Sequence, residues 1–175
     1  CGFGLGPFRS YGRRFNVSID PETETIVTLG SKEGLANLAQ AITGPGDVIL
    51  APNPSYPIHT FGFIIAGGSI RHIPVGGGRD FVSAMERAVR HSQPKPLAIV
   101  LNYPSNPTAE TVDLDFYAAI VDFCRREEIY IISDLAYAEI YFDNNPPPSI
   151  LQVPGARDIA VEFTSLSKTY SMPGW

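Results

Sequence analysis

Short apolar runs that do not alternate with polar residues constrain the fold of this chain more than any other feature. Residues 97–101 (Leu-Ala-Ile-Val-Leu) and 129–133 (Ile-Tyr-Ile-Ile-Ser) are the clearest examples. Between them, residues 114–127 place apolar side chains from Tyr117 to Cys124 at helical spacing. A strand without polar alternation has both faces covered, which is typical of a parallel sheet between two layers of helices.

The same alternation continues along the chain and predicts one α/β domain. Further strands are expected at 25–29, 48–51, 69–75 and 159–164, and further helices at 32–42 and 81–91. The apolar residues 61–66 fit the end of a helix or a strand. Residues 1–16 are rich in glycine and lack periodicity, so an irregular N-terminal segment is expected before a domain over 17–175. The predicted fold is a three-layer α/β/α structure around a mostly parallel sheet.

Composition and charge argue against several kinds of partner. The chain of 175 residues has a net charge of −5, whereas nucleic-acid binding needs a basic surface. Neither a membrane-spanning stretch of about 20 apolar residues nor a signal peptide is recognisable. Cys1 and Cys124 lack the spacing of a metal site and the density of a disulfide framework. Free thiols and a cytoplasmic location are therefore expected, and no metal site is predicted.

The ends of the predicted strands carry the candidate functional residues, because ligands of open α/β sheets bind beyond the carboxyl ends of the strands. After the first predicted strand, Gly30, Ser31 and Lys32 begin a helix whose first amides can bind an anion such as phosphate. Capping of the helix by Ser31 explains the same residues, and this segment alone favours the cap.

Later strand ends add residues of different chemistry. Prolines surround Tyr56, whose ring either stacks on a flat ligand or only packs. Asn106 offers an amide donor between two prolines, although turn formation explains an Asn-Pro pair equally well. Asp134 needs a charged or hydrogen-bonding partner after an apolar strand, unless it caps a following helix. Tyr137, three residues later, can face the same cavity.

A lysine beyond the last predicted strand is the most informative residue. Lys168 follows Ser165 and Ser167. The alternative is an ordinary surface lysine, but a buried sheet rarely ends with one beside two serines by accident. The segment therefore adds an amine to the phosphate donors, the carboxylate and the aromatic ring at the other strand ends.

In their order along the chain, these segments resemble the class I and II aminotransferases, which have fold type I and depend on pyridoxal 5'-phosphate (PLP). The resemblance extends over about residues 19–175. It rests on Asn106-Pro107-Thr108, on Asp134-Leu135-Ala136-Tyr137, and on Ser165–Gly174, which has the pattern Ser-Leu-Ser-Lys-x-x-Ser-Met-x-Gly. Each motif is weak to moderate by itself, and the ordered set is strong.

The resemblance implies how the cofactor ring would be held. Lys168 would form a covalent imine bond with PLP and carry protons between substrate and cofactor, which makes it the expected catalytic residue. Asp134 would pair with the pyridine nitrogen. Asn106 and Tyr137 would hydrogen-bond the phenolic oxygen, and Tyr56 would stack on the ring.

The resemblance also implies a phosphate site formed by the amides of Ser31 and Lys32 and the hydroxyls of Ser165 and Ser167. The residue types agree with the chemistry. PLP enzymes need an amine nucleophile and an anion that keeps the pyridine nitrogen protonated, so that the ring can accept electrons. They also need hydrogen-bond donors for the phosphate.

The chain departs from the family pattern in two places. The arginine that follows the signature tryptophan, the small C-terminal domain and the substrate-carboxylate arginine are absent from residues 1–175, and the usual amphipathic helix is not recognisable in 1–16. The expectation is a fragment of the large domain, inactive alone, from an aminotransferase that acts on an amino acid and a 2-oxo acid and is a homodimer at full length. The alternatives are a PLP-dependent lyase or synthase of the same fold and a non-catalytic PLP-binding regulatory module.

Overall fold

A computed structural model describes residues 11–75 and 79–173, which form a sheet flanked by helices. The strands are β1 (Val48–Asn53), β2 (Ser69–Pro74), β3 (Ala98–Asn102), β4 (Tyr130–Asp134) and β5 (Ala160–Phe163). The helices are α1 (described over 11–15), α2 (Ser31–Ile42), α3 (Ile58–Ile65), α4 (Arg79–Arg90), α5 (Leu114–Glu127) and α6 (Leu166–Thr169). Two 3-10 turns, Ile150–Gln152 and Ala156–Asp158, connect β4 to β5.

The five strands are all parallel and lie in the order β2-β1-β3-β4-β5. Alternate side chains of each central strand point to opposite faces. Val100 and Ile132 pack in the core that contains α2 and α3, whereas Ile99 and Ile131 pack in the core that contains α4 and α5. The predicted three-layer α/β/α fold with a parallel sheet is therefore confirmed.

The register between β3 and β4 positions the site described below. Asn102 and Asp134 are paired residues at the carboxyl ends of these strands. Both follow the face of Val100 and Ile132, so their side chains lie on the side of α2 and α3. The undecided residues 61–66 belong mainly to a helix, since α3 ends at Ile65. Across the described ranges, no helix combines the length and the apolar character needed to cross a bilayer.

Two expectations about the first thirty residues are wrong. Residues 25–29 form no strand, and Ile26 and Val27 are exposed, because no described strand lies beside them to pair with their backbone. Residues 11–15 are helical rather than irregular. Tyr11 and Phe15 pack with Leu135, so tertiary burial outweighs the glycine-rich composition there. Residues 1–10 lie outside the described ranges.

On the face opposite Asp134, Glu162 of β5 connects separate segments of the chain. Its carboxylate accepts hydrogen bonds from the hydroxyls of Tyr11, Ser133 and Ser149 and from the amide of Ile150. Burial raises the pKa of Glu162, although these hydrogen bonds oppose the shift. The folded chain therefore disfavours ionisation of this carboxyl group relative to the unfolded chain.

We expect the contribution of Glu162 to stability to fall as pH rises. Because its folded pKa lies above the unfolded value, its stabilising contribution is fully present below the unfolded pKa and is lost as pH passes the folded pKa. The measurement is the free energy of unfolding of the intact protein without PLP, compared with Glu162→Gln, across this pH range. Glu22→Gln is the control because Glu22 is exposed. A wild-type advantage that grows with pH would contradict the expectation.

Candidate functional site

One cavity at the carboxyl ends of the strands collects every residue that the sequence nominates. Its lining includes Ser31, Lys32, Tyr56, Asn106, Asp134, Tyr137, Ser165, Ser167 and Lys168, together with Gly30, Asn102 and Ala136. These residues come from the start of α2, the loop before α3, the ends of β3 and β4 and the segment after β5. The parallel sheet thus brings distant segments to one place, as expected for this fold class.

The carboxylate of Asp134 is buried and held from two sides. His59 Nε2 lies 2.8 Å from Asp134 Oδ2, and the amide of Ala136 donates to Oδ1 at 3.2 Å. A carboxylate oxygen only accepts hydrogen bonds, so His59 Nε2 is the donor in this contact, whereas Nδ1 has no hydrogen-bond partner within the described residues. No helix begins in the turn directly after Asp134, which excludes the expected alternative of a helix cap.

Asn106 and Tyr137 both line the cavity and are in contact with each other. Asn106 Nδ2 donates to Tyr137 Oη at 3.3 Å. The second hydrogen of the Asn106 amide and the hydroxyl hydrogen of Tyr137 remain available. A ligand oxygen between these groups can therefore accept two hydrogen bonds.

Tyr56 and Lys32 border the same cavity. The ring of Tyr56 meets the ring of His59 edge to face, with centroids 5.9 Å apart. Lys32 Nζ lies 5.5 Å from the centroid of the Tyr56 ring. A hydrogen bond with Tyr56 raises the pKa of Lys32, so this exposed ammonium group stays charged at the cavity.

Other residues that line the cavity offer donors for an anion. Gly30 is the N-cap of α2, with φ of 86°, and Ser31 is the first helical residue, so the alternative that Ser31 caps the helix is wrong. The first amides of α2 lack partners within the helix. Ser165 is buried at the N-cap of α6 but makes no side-chain capping bond, which leaves its hydroxyl available.

A glycine brings α2 close to the end of β5. A Cβ atom on Gly34 would lie 2.8 Å from Thr28 Oγ1 and 3.0 Å from Phe163 Cε1. A side chain at this position would force the side chains of Thr28 and Phe163 to move. The absence of a side chain therefore lets α2 lie close to the end of β5.

Lys168 lies in α6 and lines the cavity together with Asp134. Its side chain is exposed. This exposure is what the alternative of an ordinary surface lysine requires, but Lys168 also lines the cavity, which that alternative does not explain. Gly174, at the end of the signature, lies outside the described ranges.

Sequence reasoning missed His59 and Asn102. His59 follows Tyr56 by three residues, a spacing that places two side chains on one side of a helical turn. This spacing is visible in the sequence, but it indicates a contact only if a helix is predicted there, and the sequence pattern did not predict where α3 begins. Asn102 directly follows a predicted strand, and only the register with β4 reveals its partner.

A parallel α/β sheet with polar side chains gathered at the carboxyl ends of its strands is the architecture of many enzymes that bind phosphorylated cofactors. The chain matches the model of one such family, described as aminotransferase class I and II, over residues 8–175, and it belongs to this family.

Similar proteins carry aminotransferase names. The chain is 64% identical to AatC of Rhizobium meliloti (strain 1021), named as an aminotransferase, and 53% identical to the glutamate-pyruvate aminotransferase AlaC of Escherichia coli (strain K12). These matches cover 94% and 95% of the chain but only 41% and 40% of the relatives. The substrate-bound BacF structure from Bacillus subtilis is 34% identical, with a TM-score of 0.84 over 97% of this chain and 43% of that one. The chain therefore spans less than half the length of these relatives.

We expect His59→Phe to lower the free energy of unfolding by about 1–3 kcal/mol, because the buried Asp134 carboxylate loses a donor. His59→Gln should lose less, since its amide can still donate. Denaturation of the intact protein without PLP measures both effects. His72→Phe is the control because His72 is exposed on β2. Equal stability of the His59→Phe and His72→Phe variants would show that the contact with Asp134 contributes nothing.

Proposed function

We propose that this chain is the PLP-holding part of an aminotransferase that transfers an amino group between an amino acid and a 2-oxo acid. The observation that carries the proposal is the single cavity shared by Asp134 and Lys168. A carboxylate, an amine, an aromatic ring and anion donors around one cavity match the functional groups of PLP. Membership of the family and the names of its relatives support amino transfer over the lyase, synthase and regulatory alternatives.

Two groups of residues that line the cavity match the two polar ends of the cofactor. In our proposal, the amides of Ser31 and Lys32 and the hydroxyls of Ser165 and Ser167 bind the phosphate. Lys32 adds positive charge at that end. These groups would anchor PLP from the side of α2 and α6.

Asp134 would pair with the pyridine nitrogen and keep it protonated, because an ionised carboxylate stabilises a cation beside it. His59 and the amide of Ala136 prevent the carboxylate from turning away. Asn106 and Tyr137 would donate hydrogen bonds to the phenolic oxygen, and Tyr56 would pack on the ring. When bound, PLP would supply an electron sink for the substrate Cα.

Lys168 has two roles in the proposal: it tethers the cofactor and moves a proton at the substrate Cα. An amine on a short helix directly after a strand can reach the ring while its backbone stays anchored. Orientation of this kind accounts for a large share of rate enhancement in enzymes.

Substrate and assembly are proposals for the whole protein. Relatives are named for glutamate and pyruvate and for LL-diaminopimelate, which supports amino acids and 2-oxo acids as the substrate classes. We also propose a homodimer at full length and a cytoplasmic location. The family supports the dimer, and the buried free thiol of Cys124 agrees with a reducing compartment.

We expect PLP to be attached at Lys168. Borohydride reduction of the intact protein with PLP should leave a pyridoxyl group on the peptide that contains Lys168, detected by its mass. Lys168→Ala should lose this label, and the control Lys95→Ala, outside the cavity, should retain it. A label elsewhere, or no label on folded protein, would overturn the proposed function.

We expect Asp134→Asn to weaken PLP binding at least about tenfold while the protein remains folded, because the neutral amide no longer stabilises a protonated ring nitrogen. Ser133→Ala is the matched control, since Ser133 is adjacent in sequence but points to the opposite face of β4. Absorbance titration gives the affinity and denaturation gives the stability. If affinity and stability fall in proportion, Asp134 has only a structural role.

A further inference from the structure

Asn102 is a buried polar residue that connects two parts of the candidate site. It ends β3 beside Asp134 in the sheet, and only 5% of its surface is exposed. Its side-chain Oδ1 accepts a hydrogen bond from the backbone N–H of Asn106 at 2.9 Å. Its Nδ2 donates to the carbonyl oxygens of Asp134 at 2.8 Å and Pro104 at 3.3 Å.

We propose that Asn102 is a positioning residue that sets where Asn106 stands relative to Asp134. The proposal rests on the proposed function, in which these two residues hold opposite edges of the same cofactor ring. Asn102 acts through them and has no required contact with the reacting atoms.

The chemistry of the amide suits this role. Asn102 joins one backbone donor to two backbone acceptors, so its side chain must accept at one atom and donate at the other. An aspartate retains the acceptor but not the donors, and a leucine retains only the volume. The position therefore requires a side chain with both functions.

Asn102 lies between a loop and a buried strand, which allows its hydrogen bonds to fix the position of the loop. Asn106 lies in an irregular loop, where neighbouring strands do not fix the backbone. Asp134, in contrast, ends a buried central strand. The hydrogen bonds of Asn102 hold the backbone of Asn106 at a fixed place relative to the end of β4. From there the Asn106 side chain contacts Tyr137 Oη.

The test compares Asn102→Leu and Asn102→Asp with Ile99→Val in the intact protein. Ile99 is buried in the same strand but points into the opposite core, so its substitution perturbs β3 without affecting the link. Three readouts are needed: the dissociation constant of PLP, the pH midpoint of the absorbance change of bound PLP, and the free energy of unfolding. Asn106→Ala and Asp134→Asn are measured in parallel.

We expect Asn102→Leu to raise the dissociation constant at least about tenfold, the effect of orphaning buried hydrogen-bonding groups. The pH midpoint should move upward, as in Asn106→Ala, because an anionic oxygen loses a donor. Asn102→Asp should change both quantities in the same direction, and it decides the test if Asn102→Leu does not fold. Ile99→Val should lower stability only.

Two other outcomes count against the inference. If Asn106→Ala and Asp134→Asn weaken binding but the Asn102 variants stay within twofold of wild type with an unchanged midpoint, Asn102 is merely structural. If neither Asn106→Ala nor Asp134→Asn changes binding, the proposed function is wrong, and this inference falls with it.

Discussion

The hydrogen bond between His59 and the buried carboxylate of Asp134 is the interaction on which the candidate site depends. A carboxylate is costly to bury unless polar partners satisfy it, and here His59 and the Ala136 amide serve its two oxygens. Asn102 binds the backbone of the same residue. Asp134 is therefore fixed in both its main chain and its side chain, which a directional contact with a flat ring requires.

The parallel sheet explains how so many segments reach one carboxylate. Neighbouring strands end at the same edge, and the paired positions of Asn102 and Asp134 place both on one face. The opposite face uses its polar groups differently. There Glu162 binds α1 and the turn at Ile150 to the edge of the sheet, so this side chain of β5 contributes to stability. The carboxyl end of the same strand is followed by the segment that contains Lys168.

Much of this arrangement could be predicted from the sequence, because apolar runs locate buried strands and the strand ends locate the ligand side. The prediction of a strand at 25–29 is wrong because a β-branched run favours extended backbone, whereas a strand also needs a neighbouring strand to pair with. The helix at 11–15 is not predictable from its own residues because its stability comes from contacts of Tyr11 and Phe15 with distant residues. The roles of His59 and Asn102 are not predictable for a related reason, because the partner of both is Asp134, which lies 75 positions after His59 and 32 positions after Asn102.

The central claim is that the ionised carboxylate of Asp134 keeps the ring nitrogen of a bound cofactor protonated. The most direct measurement is the 15N NMR chemical shift of PLP labelled at the ring nitrogen and bound to the intact protein near neutral pH. The account predicts the shift of a protonated pyridinium. The shift of a neutral pyridine would contradict it.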